Sequence, residues 1–366
     1  MTHRFGGYNG VAREAGKWCA AFDELGWSVT RAGGLFVDTA PGDVVVRGMW
    51  ADRPGGDPPP VDHDSIRRMC DTHDLVVLDN AGTLFSAPAA SRAWEAHALA
   101  AGVPVVARHH DPPWQGAPLR PVTDDAVPLH DPHHLHVAIN DRTRADFADR
   151  WPHLVDAGAL RVVHNRVDAD ALHGGDRERT RAQRGVGPDD VLVVHPARAD
   201  GPSKNIPAGV RFARRLAGQL DQQVRYWLTD ASHIPASPVA AALAAADPVG
   251  VVRGNIPDQA DLYAAADLVM LSSTWEGWGL PVVEAAAARR IAVAARYPVL
   301  AEIESFGVTT YDLDAVDEVV GLLTRPAALD DVLDANEAAV RKHFDLASLP
   351  ATLADLATTA RELASR

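Results

Sequence analysis

The stretch Leu268-Val-Met-Leu-Ser-Ser-Thr-Trp-Glu276-Gly-Trp-Gly-Leu-Pro-Val-Val-Glu284 decides the fold class. A short apolar run over 268–272 reads as a buried strand. A loop with two glycines carries it into an Ala-rich helix over 281–289. Pro281 suits the first helical position, where its missing N–H is no loss. The amides around 279–283 then point away from the helix and, with its dipole, form an anion site. Gly277 and Gly279 let a ligand come close to the backbone. Glu276 and Glu284 flank that site, and beside a phosphate they would repel it unless they face hydroxyls. Each carboxylate can accept two hydrogen bonds from a vicinal diol of ribose or a hexose. An anion site with diol acceptors at its rim matches a nucleotide sugar. Alone, Glu284 would merely favour its helix's first turn and Glu276 would be a solvated loop residue; their company at one strand-to-helix edge favours binding.

Outward from this segment, strand-like runs alternate with helical patterns, which predicts parallel sheets covered by helices. In the second half strands are expected over 191–197, 224–229, 249–253, 268–272 and 291–295, with helices over 206–219, 260–266 and 281–289. In the first half strands are expected over 27–30, 75–79, 103–108, 135–140 and 161–164, with helices over 11–25, 91–101 and 142–150. The Pro- and Gly-rich stretch 53–63 reads as an irregular loop. The polar, Gly-containing stretch 170–189 reads as the boundary between a first domain, 1–170, and a second, 186–348. The tail 349–366 carries Leu349, Leu353, Leu356, Ala357, Ala360 and Leu363 at helical spacing and reads as a helix closing back on the first lobe. Ligands of open α/β sheets bind at the carboxyl ends of the strands, so those ends carry the functional reading.

One such end is Arg198, after 191–197, followed by a short loop, Lys204, Asn205 and a helix. Two cations there can neutralise a diphosphate of about two negative charges and stabilise it as it leaves. Either residue alone would be an ordinary solvated cation. The chain has 366 residues, 47% hydrophobic and 23% charged, enough for two cores. Its formal net charge of −14 disfavours nucleic acid, which needs a basic footprint. Cys19 and Cys70 are too few for a disulfide framework or a cysteine metal site. With no spanning apolar run and no apolar leader, the chain reads as cytoplasmic. Peripheral contact with a membrane stays open, although no basic amphipathic helix argues for it.

These residues resemble the family 4 retaining glycosyltransferases of the GT-B fold. The likeness rests on the segment Glu276–Glu284, on Arg198 with Lys204-Asn205, and on Pro298-Val-Leu-Ala-Glu302 after the next strand. Weaker support comes from His164-Asn-Arg-Val-Asp168 and from Gly254 with the stretch 261–267. The resemblance implies two Rossmann-like lobes facing each other across a cleft, the first taking the acceptor and the second the donor. It implies that Arg198 and Lys204 bind the donor diphosphate and that Glu284 holds the ribose. It implies that Glu276, with Gly277, Gly279 and Leu280, holds the transferred sugar and phosphate, and that Gly6 and Gly7 form the first-lobe glycine loop. No divalent metal or cofactor is implied. A hexosyl unit would move from a nucleotide-diphosphate sugar to a glycan, small-molecule or lipid-linked acceptor with retention, by front-face attack. That loop ordinarily follows a first strand; with Met1 just ahead of Gly6, the strand reads as missing and the natural start as lying upstream. The alternatives are an inverting transferase or a nucleotide-sugar epimerase of the same architecture, or a non-catalytic sugar-nucleotide-binding partner subunit.

His109, His110 and Asp111 follow the run 103–108. A histidine there can contact the sugar or move a proton. Aligned strand ends favour His110 as the family's first-lobe histidine, with His109 second. The cluster His130, Asp131, His133, His134 and His136 fits no zinc spacing and reads as loop and strand-edge residues. Pro112, Pro113, Trp114 and Gln115 read either as an apolar sugar platform or as a packed turn. A dinucleotide reading of Gly6-Gly7-Tyr8-Asn9-Gly10 lacks its strand and its acidic partner, since Arg31 follows 27–30.

Overall fold

The computed structural model describes residues 1–7, 10–49, 59–83, 87–110, 112–115, 127–199, 202–230 and 238–366. Tyr8, Asn9, Asp111 and much of the loops expected over 53–63 and 112–128 lie outside the described residues. The chain divides into two units, Met1–Arg166 with Ala347–Arg366, and Val167–Leu346. Among the described residues no helix is long and apolar enough to cross a membrane.

The first unit holds strands β1 (Thr2–Phe5), β2 (Ala32–Phe36) and β3 (Val44–Val45), paired in parallel in the order β1-β2-β3. Four more strands follow: β4 (Val76–Asp79), β5 (Val105–His109), β6 (Leu135–Ala138) and β7 (Leu160–Val162), also parallel and in chain order. Met1 lies alongside β4: its amino group donates to the Val77 carbonyl at 2.7 Å, and its carbonyl accepts from the Asp79 N–H at 2.7 Å. The chain thus runs outward from β1 to β3, returns beside β1 at β4, and runs outward again to β7.

Two expectations are corrected here. The first strand is present: Thr2–Phe5 pairs with β2 in the register Thr2↔Gly33, with Thr2 and Phe5 buried. The strand expected over 27–30 is irregular, and pairing starts at Ala32 instead. Glycine argues against a strand by propensity. At Gly33, however, a Cβ would stand 2.8 Å from the Thr2 carbonyl, so β2 closes on β1 only through a bare backbone. The closing helix is as read: Leu349, Leu353, Leu356, Ala357, Ala360 and Leu363 are all buried on one face of Leu349–Ala364. It packs against the helix Gly10–Glu24 and against β5 and β6.

The second unit has five parallel strands: β8 (Val191–Arg198), β9 (Val224–Asp230), β10 (Gly250–Arg253), β11 (Leu268–Leu271) and β12 (Ile291–Ala294). Their order is β10-β9-β8-β11-β12. After β10 the chain crosses back over β8, so β8 and β11 diverge into opposite halves of the sheet. Val193, Val210, Phe212, Tyr226, Met270 and Val293 sit in its main core. The polar stretch read as an interdomain boundary is largely helical, Ala169–His173 and Arg177–Gln183, and the division falls at Arg166/Val167. Arg177 donates to the carbonyls of Ala264, Ala265 and Ala266, at 3.0, 3.1 and 2.9 Å, and so caps the helix Gln259–Ala265. Polarity there serves a helix terminus within the second unit.

Candidate functional site

In a doubly wound sheet the crevice opens where neighbouring strands diverge, at their carboxyl ends. In the second unit that place lies between β8 and β11. Arg198 ends β8 and is exposed. Beyond it, Lys204 closes a single 3₁₀ turn, and Asn205, in the left-handed region at φ 46°, turns the chain into the helix Ile206–Ala217 without a side-chain cap. The end of β11 is laced to this turn. Ser272 Oγ donates to the carbonyls of Lys204 and Asn205, both at 2.9 Å, and the Thr274 N–H donates to the Ser203 carbonyl at 2.8 Å. This lacing brings Lys204 Nζ to 2.6 Å from Glu276 Oε1, with the two side chains 22% and 16% exposed.

Gly279, at φ 103°, starts the helix Leu280–Ala287, which also has no side-chain cap. Pro281 therefore takes the second helical position, where its lack of an N–H is equally harmless. The Tyr297 hydroxyl donates to the Trp278 carbonyl at 3.1 Å and fills the space a Cβ on Gly279 would need. Burial, and then the charges of Glu276 and Glu304, push the Tyr297 phenol well above its ordinary range, so it stays a donor. Glu284 is buried on the same helix, and one of its oxygens accepts the Tyr263 hydroxyl at 2.5 Å. Below Lys204, His195 Nδ1 and the Tyr226 hydroxyl pair at 2.5 Å. Burial, and then the Lys204 charge, push this imidazole down to about 3, so it is neutral. Sequence reading missed Ser272, Tyr263, Tyr297 and the His195–Tyr226 pair, because none carries a spacing signal.

In the first unit Gly6 and Gly7 follow β1 with φ 80° and 71°, the left-handed region open to glycine. The Gly7 N–H donates to Asp38 Oδ2 at 3.3 Å, and a Cβ on Gly6 would collide with Asp38. The adjacent histidines part company. His109 turns into the core, 3.1 Å from His136 Nδ1 and against the Phe147 ring. Burial, then His136 and His110, hold His109 well below its ordinary range, and burial pushes His136 down to about 3. His110 instead meets Asp79 Oδ1 at 2.6 Å, where β4 and β5 end. The denser histidine group disperses into local bonds: His133 to Asp131 at 2.8 Å, His136 to the Asp131 carbonyl at 2.9 Å, and His130 to the Pro128 carbonyl at 3.0 Å. Trp114 is a packed turn residue and no platform. Arg150 covers its face at 4.1 Å, and its Nε1 donates to Asp146 at 2.9 Å.

Residues 176–318 match the model of the glycosyl transferases group 1, a span that lies wholly in the second unit. The D-inositol 3-phosphate glycosyltransferase of Mycobacterium avium (strain 104) is 29% identical over 252 residues, 63% of this chain and 55% of the relative. The chain thus spans about half the length of that relative. The structure of Anabaena Alr3699/HepE in complex with UDP and glucose superposes with a TM-score of 0.68 at 17% identity, over 97% of this chain and 99% of that one. The glycosyltransferase from Rickettsia africae ESF-5 gives a TM-score of 0.68 at 12% identity, over 98% of each chain. At such identities the structures speak for the fold, while the family match speaks for the segment that holds Arg198, Lys204, Glu276 and Glu284. Residues 176–318 are thus similar to the glycosyl transferases group 1, and the chain that carries them has the GT-B fold.

Proposed function

We propose that this chain is a glycosyltransferase that moves a hexosyl unit from a nucleotide-diphosphate sugar to an acceptor hydroxyl, with retention of anomeric configuration. The observation that carries the reading is the Lys204–Glu276 pair, 2.6 Å apart where β8 and β11 diverge, beside a helix start with no side-chain cap. The pair is partly buried but keeps 22% and 16% of its side-chain surface, so a charged ligand can reach it and replace one partner. A diphosphate takes Lys204, and Glu276 is released to accept hydrogen bonds from the sugar. Arg198 shares the charge of the diphosphate, the amides of Gly279 and Leu280 meet its oxygens, and Glu284 takes the ribose hydroxyls. Binding at Glu284 requires Tyr263 to yield or share its hydrogen bond.

In the transfer step the bond from the anomeric carbon to the β-phosphate oxygen breaks, and the nucleoside diphosphate leaves with the electron pair. The acceptor oxygen attacks from the same face, and its proton passes to the leaving phosphate. Arg198, Lys204 and the helix start stabilise the charge that develops there. In this reading they do so without a divalent ion, and Gly6, Gly7 and His110 serve from the first unit of a cytoplasmic enzyme. Anabaena Alr3699/HepE, solved with UDP and glucose, supports a UDP-sugar as the first donor to try.

The test is a thermal-shift panel of nucleotide sugars with and without added metal, followed by transfer assays and determination of the product anomer. The right donor raises the unfolding temperature by mass action. Glu276→Gln, Lys204→Ala and Arg198→Ala abolish transfer while the fold is kept. Full activity in all three variants ends the site assignment, and an inverted anomer ends retention.

A further inference from the structure

The first unit carries a second charged cluster at the carboxyl ends of β4 and β5, and it is closed where the Lys204–Glu276 pair is open. Arg108 is fully buried and donates to Glu14 Oε2 at 3.0 Å, to Asn165 Oδ1 at 2.6 Å and to Asp79 Oδ2 at 3.4 Å. Its guanidinium lies 4.5 Å from the centre of the Trp18 ring. The other oxygen of Asp79 meets His110 Nε2 at 2.6 Å, and the His110 N–H donates to Asn80 Oδ1 at 3.0 Å. His110 is thus fixed through its backbone and through one ring nitrogen. Burial raises the Asp79 carboxyl, but Arg108 and His110 outweigh it and hold the group below its ordinary range, so it is ionised.

An ionised carboxylate only accepts, so Nε2 must carry the hydrogen. In the neutral ring Nδ1 then keeps a lone pair, and it has no partner among the described residues. We propose that Asp79 is a positioning residue that locks the neutral His110 ring in the Nε2–H tautomer, so that its Nδ1 offers an acceptor to a substrate hydroxyl at this sheet edge. Only the identity of that hydroxyl, on the sugar or on the acceptor, rests on the reading of the chain as a glycosyltransferase. The arrangement follows from topology: β4 and β5 are neighbours in parallel register, Asp79↔Arg108, so their next residues emerge side by side.

Nitrogen-15 long-range correlation spectra of the full chain at pH 8 test the tautomer directly, with the His110 signals found by their loss in His110→Gln. The expected pattern is a protonated Nε2 and a bare Nδ1. Asp79→Asn should shift His110 towards the other tautomer and lower kcat/KM by about 10- to 100-fold. Adding His110→Gln to Asp79→Asn should cost nothing further, and Asp79→Glu should restore part of the activity. A wild-type His110 protonated at Nδ1, or an Asp79→Asn chain that keeps both tautomer and activity, overturns the proposal. If Asp79→Asn does not fold, the wild-type spectrum alone decides. A chain with the expected tautomer but no transfer from any nucleotide sugar would sink the glycosyltransferase reading and leave the lock standing.

Discussion

Both units place charged groups at the carboxyl edge of a parallel sheet, but they treat the charges differently. In the first, Arg108, Asp79, Glu14 and His110 are all at most 3% exposed and bonded to one another. In the second, Lys204 and Glu276 pair with each other and keep 22% and 16% of their side-chain surface. A buried charge is tolerable only when it is paired, and in the first cluster both terminal nitrogens of Arg108 are held by Glu14, Asn165 and Asp79. The second pair is only partly buried, so a charged ligand can reach it and take the place of one partner. The first edge is thus closed, and the exchangeable binding proposed above calls for the accessibility of the second.

The contrast can be broken by experiment, and the largest effect is expected at Arg108. Arg108→Met removes the buried cation that joins Asp79 and Glu14, leaving Asp79 with His110 and Glu14 with Lys17 as charged partners, and should lower stability by about 3–5 kcal/mol in urea unfolding. A loss below 1 kcal/mol would mean that the first cluster is as dispensable as a surface pair. Next come Lys204→Ala and Glu276→Gln. Each should reduce transfer by about 100- to 1000-fold, yet change stability by no more than about 1 kcal/mol. A large stability loss there would make the second pair structural too.

Gly279→Ala adds a side chain at φ 103° against the Tyr297 hydroxyl and should cost about 1–3 kcal/mol, read as a lower melting temperature. Tyr297→Phe in the same chain should recover only part of it, because the backbone strain remains. The most gradual effect is the pH slope. His195 falls from 6.5 to about 3 on folding, so the unfolded chain binds the extra proton between those values. Stability should therefore fall as pH falls from about 6.5 towards 3, by about 1.4 kcal/mol per unit from this group. His195→Gln should flatten that slope, measured as urea midpoints from pH 7 to 5. Asp79, depressed on folding, acts in a lower window. Its contribution is present above its ordinary value of 3.8 and is lost as pH falls through the folded value.

The second unit was largely legible in the amino-acid sequence. Its strands are apolar runs, and its helix start is marked by Gly279 and Pro281. The first unit was legible in its later strands and in its closing helix, but not at β1 and β2. Thr2–Phe5 is too short to show alternation, and Gly33-Gly34 argues against a strand until the close approach to Thr2 is seen. Aligned strand ends alone put His110 ahead of His109, because adjacent residues at a strand end differ only in the face they turn to. The packed role of Trp114 depended on Arg150 and Asp146, more than thirty residues away.

What the sequence determined by itself is local: period, punctuation, and residue types that suit a diphosphate and a diol. Those signals lie within one strand-loop-helix unit, so the segment around Glu276 could be read without its surroundings. Only the tertiary structure decided which distant charges meet. Lys204 reaches Glu276 because β8 and β11 are neighbours in the sheet, and Asp79 reaches His110 because β4 and β5 are. Contacts between residues far apart in the chain follow from strand order, and strand order is set by how all the helices and sheets pack together.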